Sequence, residues 1–135
     1  MSHTTKVKII ELATKAREWA VEQQKIGWIY GPRLKGLCAI TTAHLFILLQ
    51  ESGIKATIVT NRKHCFLTTN GYLVDVTATQ FEGVTEEIIV RKVASLKSTG
   101  VPYYWQPQFR LHSIEELAMH QAELMWPEYQ QVRLP

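Results

Sequence analysis

Cysteine is scarce in this chain. Two in 135 residues cannot build a disulfide framework, so free thiols are expected. Long apolar runs are missing too. No stretch approaches the ~18 to 20 continuous apolar residues that a membrane helix needs. Met1 to Lys8 holds no apolar signal core. Nor is there a strong charge of one sign. The net charge is +3, and the basic residues cluster only as Arg62-Lys63 and Arg91-Lys92, too short to make a nucleic-acid surface. Internal repeats, low-complexity tracts and long linkers are also lacking. These absences lead us to expect one domain, 1–135, in a cytoplasmic setting, with no membrane and no nucleic-acid partner. That setting is compatible with delivery into another cell as an effector. They leave the oligomeric state open.

What is present suits a packed globular core: 46% of residues are hydrophobic and 20% charged, too apolar for a disordered chain. From Thr4 to Gln24, Ile9, Leu12, Ala16, Trp19 and Ala20 recur at spacings of three and four, which predicts a helix that Gly27 closes. A loop broken by Gly31, Pro32 and Gly36 follows. A second helix is predicted from Leu37 to Glu51, with Gly53 as its left-handed cap. It is apolar almost all round, so we expect it at the centre of the domain, buried on every side.

Strand-like runs come next: Lys55 to Thr60, His64 to Thr69 and Tyr72 to Ala78. Asn70-Gly71 separates the last two and is the strongest short hairpin signal, because both residues tolerate positive φ. A three-stranded antiparallel meander on the central helix is the expectation. Thr85 to Leu96 fits helix or strand equally. Val101 to Phe109, with two prolines and four aromatics, reads as an extended loop or edge strand. Ser113 and Glu116 have capping-box spacing for a last helix, carrying Ile114, Leu117, Ala118 and Met125 and stopped by Pro127. The fold class is α+β, helices around a small antiparallel sheet.

Three polar residues stand out in these core elements. Cys38 opens the central helix, where the positive helix end favours a thiolate and free N–H groups can hold an oxyanion. His64 opens the second strand and Asp75 lies in the third. With Asn70-Gly71 as a two-residue loop, Thr69 pairs with Tyr72, Leu67 with Val74 and Phe66 with Asp75. His64 and Asp75 then share a face on a diagonal of roughly 7 Å, which an imidazole and a carboxylate can bridge. A one-residue slip would part them. Taken singly, each has a structural explanation, since cysteine is often core and histidine often structural. Together they form a nucleophile, a base and an orienting acid.

Other residues are weaker candidates. Gln80 could donate to an oxyanion or a substrate carbonyl. Tyr30, Arg33 and Lys35 lie in the loop that feeds Cys38. Cys65 should point away from His64 into the core, and His44 and His120 read as structural. A Cys38–Cys65 disulfide, or a metal held by Cys38, His64, Cys65 and His44, is conceivable, but no paired C-x-x-C or H-x-x-x-H spacing supports it. No metal or other cofactor is expected. Tyr103, Tyr104 and Trp105 could wall a groove or cover a core edge.

The stretch Gly36 to Phe81 resembles the core of the transglutaminase-like branch of papain-fold cysteine enzymes. It does so through "GLCAITTAHLFILL", "SGIKATIVT", "HCFL" and "YLVDVTATQF". The resemblance covers about a third of the chain and implies a papain-like core with Cys38, His64 and Asp75 as the triad. Members include peptidases, glutamine deamidases, protein cross-linking enzymes and amide hydrolases. Leu37 and Ala39 flank Cys38, where an aromatic neighbour is usual, and the short run to His64 implies a minimal core. The function expected is amide hydrolysis or acyl transfer through a thioester on a protein or peptide substrate. The alternative is a non-catalytic module binding a peptide or protein on the same fold.

Overall fold

The computed structural model describes residues 3–26, 37–60, 64–93 and 109–122. Helix α1, His3–Ile26, turns Ile9, Leu12, Ala13, Ala16 and Ala20 inward. Its other side carries exposed ion pairs such as Lys8–Glu11 and Lys25–Glu22. Helix α2, Cys38–Glu51, runs against α1 and ends at Gly53, whose φ of +74° is the left-handed cap conformation. Trp19 of α1 stacks on His44 of α2, with ring centroids 4.6 Å apart. His44 is thus a packing residue.

Among the described residues the sheet has five antiparallel strands, not three. They are β1 Thr57–Thr60, β2 Cys65–Thr69, β3 Tyr72–Asp75, β4 Ile89–Lys92 and β5 Phe109–Leu111, in the order β4-β3-β2-β1-β5. The ambiguous stretch 85–96 thus contributes a strand, β4, paired so that Ile89 meets Asp75 and Val90 meets Val74. β5 pairs with β1 at the other edge. Of Val101 to Phe109 only Phe109 lies within the described residues, and it begins this edge strand.

The β2–β3 hairpin has the predicted register. Leu67 pairs with Val74, Thr68 with Leu73 and Thr69 with Tyr72. Asn70 (φ 52°) and Gly71 (φ 80°) both take positive φ, as a two-residue turn of this hand requires. Strand alternation then sorts side chains to two faces. Ile58, Cys65, Leu67 and Val74 face the helices and join Ile9, Leu12, Leu45 and Leu49 in the main core. Burying each of the large aliphatic side chains there contributes about 1.5–3 kcal/mol. Val59, Phe66, Leu73 and Ile89 face the other way and pack with Ala78, Phe81 and Val84.

Two expectations need correcting. Helix α2 is not buried all round, because among the described residues it packs only where α1, β1 and β2 meet it. Ile40 and Ile47 are exposed, while Thr41, Thr42, Leu45, Phe46 and Leu49 are buried. The capping box also differs in detail. Residues 114–122 are helical (α3), and the Glu116 N–H donates to Ser113 Oγ at 3.1 Å. The Glu116 carboxylate reaches past the cap to the His112 N–H. In α3 Leu117 is buried, Ile114 packs against the core and Ala118 is exposed. Gly27, Met125 and Pro127 lie outside the described residues. No helix among the described residues is long and apolar enough to cross a membrane.

Candidate functional site

The site lies where three chain segments meet at one end of the sheet. Helix α2 starts there, β2 starts there and β3 ends there. The Thr42 hydroxyl, one turn into α2, donates to the Cys65 carbonyl at 3.2 Å and ties the helix start to the start of β2. His64 precedes β2 and Asp75 closes β3, so the hairpin register sets them on one face.

His64 Nε2 and Asp75 Oδ2 are 2.6 Å apart. The two side chains are 3% and 0% exposed, so water does not screen the pair. The second carboxylate oxygen, Oδ1, accepts from the Thr77 N–H at 3.0 Å. Both oxygens are therefore held, and a strand aspartate that would otherwise be costly is satisfied. Phe81 meets the His64 ring edge-on at 4.8 Å, and Phe66 lies 5.9 Å away.

Cys38 lies near enough to His64 to favour its protonated form. Cys38 is half-buried and unpaired. Leu37, which precedes it, offers no side chain to cap the helix, so nothing from that residue covers the first N–H groups of α2. Burial on its own would push the His64 pKa down. The Asp75 charge and hydrogen bond, with those of Cys38, outweigh burial and raise it to about 10. The ring is thus held as an imidazolium across the neutral range.

Gln80 ends a single 3-10 turn, Ala78–Gln80, just beyond β3. Its Nε2 donates to the Thr77 carbonyl at 3.1 Å and lies 3.1 Å from His64 Nδ1. The Thr77 carbonyl can only accept, so it fixes the amide with nitrogen toward the ring. The amide nitrogen therefore faces the ring and donates to Nδ1 only when that nitrogen carries no proton. An N–H at Nδ1 suits a ring unprotonated there, which opposes the rise caused by Asp75. The shorter, charge-assisted and fully buried bond to Asp75 dominates.

Arg17 is the residue that sequence reasoning missed. From α1 its Nη1 donates to the Val76 carbonyl at 3.1 Å and to Thr79 Oγ1 at 2.9 Å. Burial lowers its pKa, against the pull of Glu87 and Asp75. Its signal in the sequence is position: Arg17 borders the apolar stripe of Ala13, Ala16 and Ala20, not the charged face.

Cys65 is 1% exposed in the main core, where burial pushes its thiol up and keeps it protonated. Cys38 and Cys65 are both free, so no disulfide joins them. Among the described residues no group of three or more His, Cys, Asp or Glu is placed to hold a metal. Tyr30, Arg33, Lys35, Tyr103, Tyr104 and Trp105 lie outside the described residues. A cavity of about 440 Å³ opens elsewhere, toward the Asn70-Gly71 end of the sheet, lined by Lys55, Thr68, Asn70 and Arg110 among others. None of Cys38, His64, Asp75 or Gln80 borders it.

Fold and site together define an α+β chain with a cysteine, a histidine and an aspartate gathered at one end of its sheet. No protein-family model, no curated protein and no solved structure matches the chain.

Proposed function

We propose that the protein is a cysteine-dependent amide hydrolase built on a minimal papain-like, transglutaminase-like core. The observation that carries this reading is the His64 ring, bonded to Asp75 through Nε2 and adjoining the Cys38 thiol. A sulfur at a helix start, a histidine opening a strand and an aspartate on the paired strand have the chain order of that core.

In the proposed reaction Cys38 sulfur attacks the carbonyl carbon of an amide. The carbonyl oxygen takes up the charge against backbone N–H groups at the start of α2. The C–N bond then breaks, and His64 gives its proton to the departing nitrogen. A thioester remains on Cys38. Water attacks it, its proton passes to His64, and the sulfur leaves. Asp75 stays anionic and orients the ring throughout. The substrate is a peptide bond or a glutamine side chain. An amine in place of water would give transfer or cross-linking, but water needs no second binding site. Gln80 acts on the ring in this scheme, not on the oxyanion.

The test is thiol reactivity. Iodoacetamide should label Cys38 at pH 6 faster than glutathione under the same conditions, and leave Cys65 untouched. Incubation with candidate proteins should then give cut chains or deamidated glutamines by mass spectrometry, both lost in Cys38→Ala. A Cys38 no more reactive than glutathione, with no product formed, would favour the peptide-binding module.

A further inference from the structure

We infer that Arg17 is a positioning residue for the His64 ring. It pins the turn that places the Asp75 carboxylate against one ring nitrogen and the Gln80 amide beside the other. The inference rests on the proposed role of His64 only for its functional meaning; the geometric claim is independent of turnover.

Four residues, Val76 to Thr79, separate Asp75 from Gln80. They must reverse the chain so that the carboxylate reaches Nε2 while the amide reaches Nδ1. The turn has internal ties: Thr77 N–H to Asp75 Oδ1, Gln80 Nε2 to the Thr77 carbonyl, and Gln80 N–H to the same carbonyl at 3.2 Å. Val76 and Ala78 are packed in the two cores, but these bonds close the turn on itself and do not tie it to another element. Arg17 Nη1 does so at two points, the Val76 carbonyl and the Thr79 hydroxyl, from a helix distant in sequence.

A second observation points the same way. Arg17 Nε is buried without a hydrogen-bond partner, and an orphaned cationic N–H is costly. A methionine or leucine at the edge of the α1 stripe would bury as well at no such cost. The positive charge is also felt at Asp75. The arginine thus stands in a place where packing alone would favour an apolar side chain.

The experiment reads the ring directly. Nitrogen-15 histidine spectra of the full chain should show a far-downfield Nε2–H proton, with the ring titrating near pH 10. In Arg17→Met that proton should broaden or vanish, and the midpoint should fall by at least one unit. Arg17→Lys keeps a cationic donor and should restore most of the shift, which a purely packing role would not require. Thr79→Val removes one acceptor and should give a smaller fall; it decides the matter if Arg17→Met does not fold. An unchanged His64 signature in folded Arg17→Met, or a failure of Lys to restore it, overturns the inference. Iodoacetamide labelling of Cys38 in the wild type, set beside this series, separates the two claims. An inert thiol with an Arg17-dependent ring defeats only the proposed function. A reactive thiol with an Arg17-independent ring defeats only this inference.

Discussion

Replacing Asp75 by asparagine keeps the shape of the site and removes its charge. Asp75 lies 2.6 Å from His64 Nε2, and neither side chain is more than 3% exposed. Removing one partner of a buried ion pair typically costs about 3–5 kcal/mol, mostly from the charge left behind. His64 can escape part of that cost by losing its proton, so the lower end, about 3 kcal/mol, is expected near pH 6. Without Asp75 the burial effect prevails, and the ring should titrate below its ordinary value near 6.5 instead of at about 10. The sign of the pH dependence follows. A histidine whose folded pKa is raised contributes stability that is full below about pH 6.5 and lost as pH rises through about 10. The gap between wild type and Asp75→Asn should therefore be widest at pH 6 and narrow toward pH 10. Urea unfolding across that range, with NMR titration of the His64 ring, measures both. If His64 in Asp75→Asn still titrates near 10, or if the two proteins unfold alike at pH 6, the reasoning is wrong.

Gln80→Met removes the N–H that favours an unprotonated Nδ1, so the His64 midpoint should move up by NMR titration; a downward move would show that the amide supports the imidazolium. Thr41 Oγ1 is buried without a hydrogen bond, and valine has nearly its shape. Thr41→Val should therefore stabilise the fold by about 1 kcal/mol, seen as a melting temperature higher by roughly 3–5 °C; a lower one would reveal a partner for the hydroxyl. Gly71→Ala places a side chain at φ 80° and should cost about 1–2 kcal/mol in urea unfolding, whereas a neutral result would mean the turn can re-form without positive φ.

The local parts of this structure were readable in advance. Asn70-Gly71 fixed a two-residue turn, the turn fixed the register, and the register put His64 and Asp75 on one face. Each step joins neighbours in sequence, where steric rules act directly. Long-range pairing was not readable. The stretch "EEIIVRKVASL" has an apolar pattern that suits either helix or strand, and only the free edge of β3 selects the strand. β5 is three residues long, and β1 selects it from across the sheet. The exposure of Ile40 and Ile47 depends on which side of α2 the sheet occupies, a fact that apolar content cannot encode. Arg17 was missed because a helix pattern says which side a residue faces, not what waits there. Gln80 has a donor amide in any fold, and only the turn that folds back on the ring decides what that amide faces.

The His64–Asp75 contact spans only eleven residues of chain. Loop-closure entropy for so short a span is small, and a hairpin can meet its own end early in folding. The sulfur belongs to a helix that must still dock on the sheet, a later and more distant event. The folding chain would thus assemble the His64–Asp75 pair before it brings Cys38 alongside. In the proposed reaction, the last group to arrive is the one that bonds to substrate.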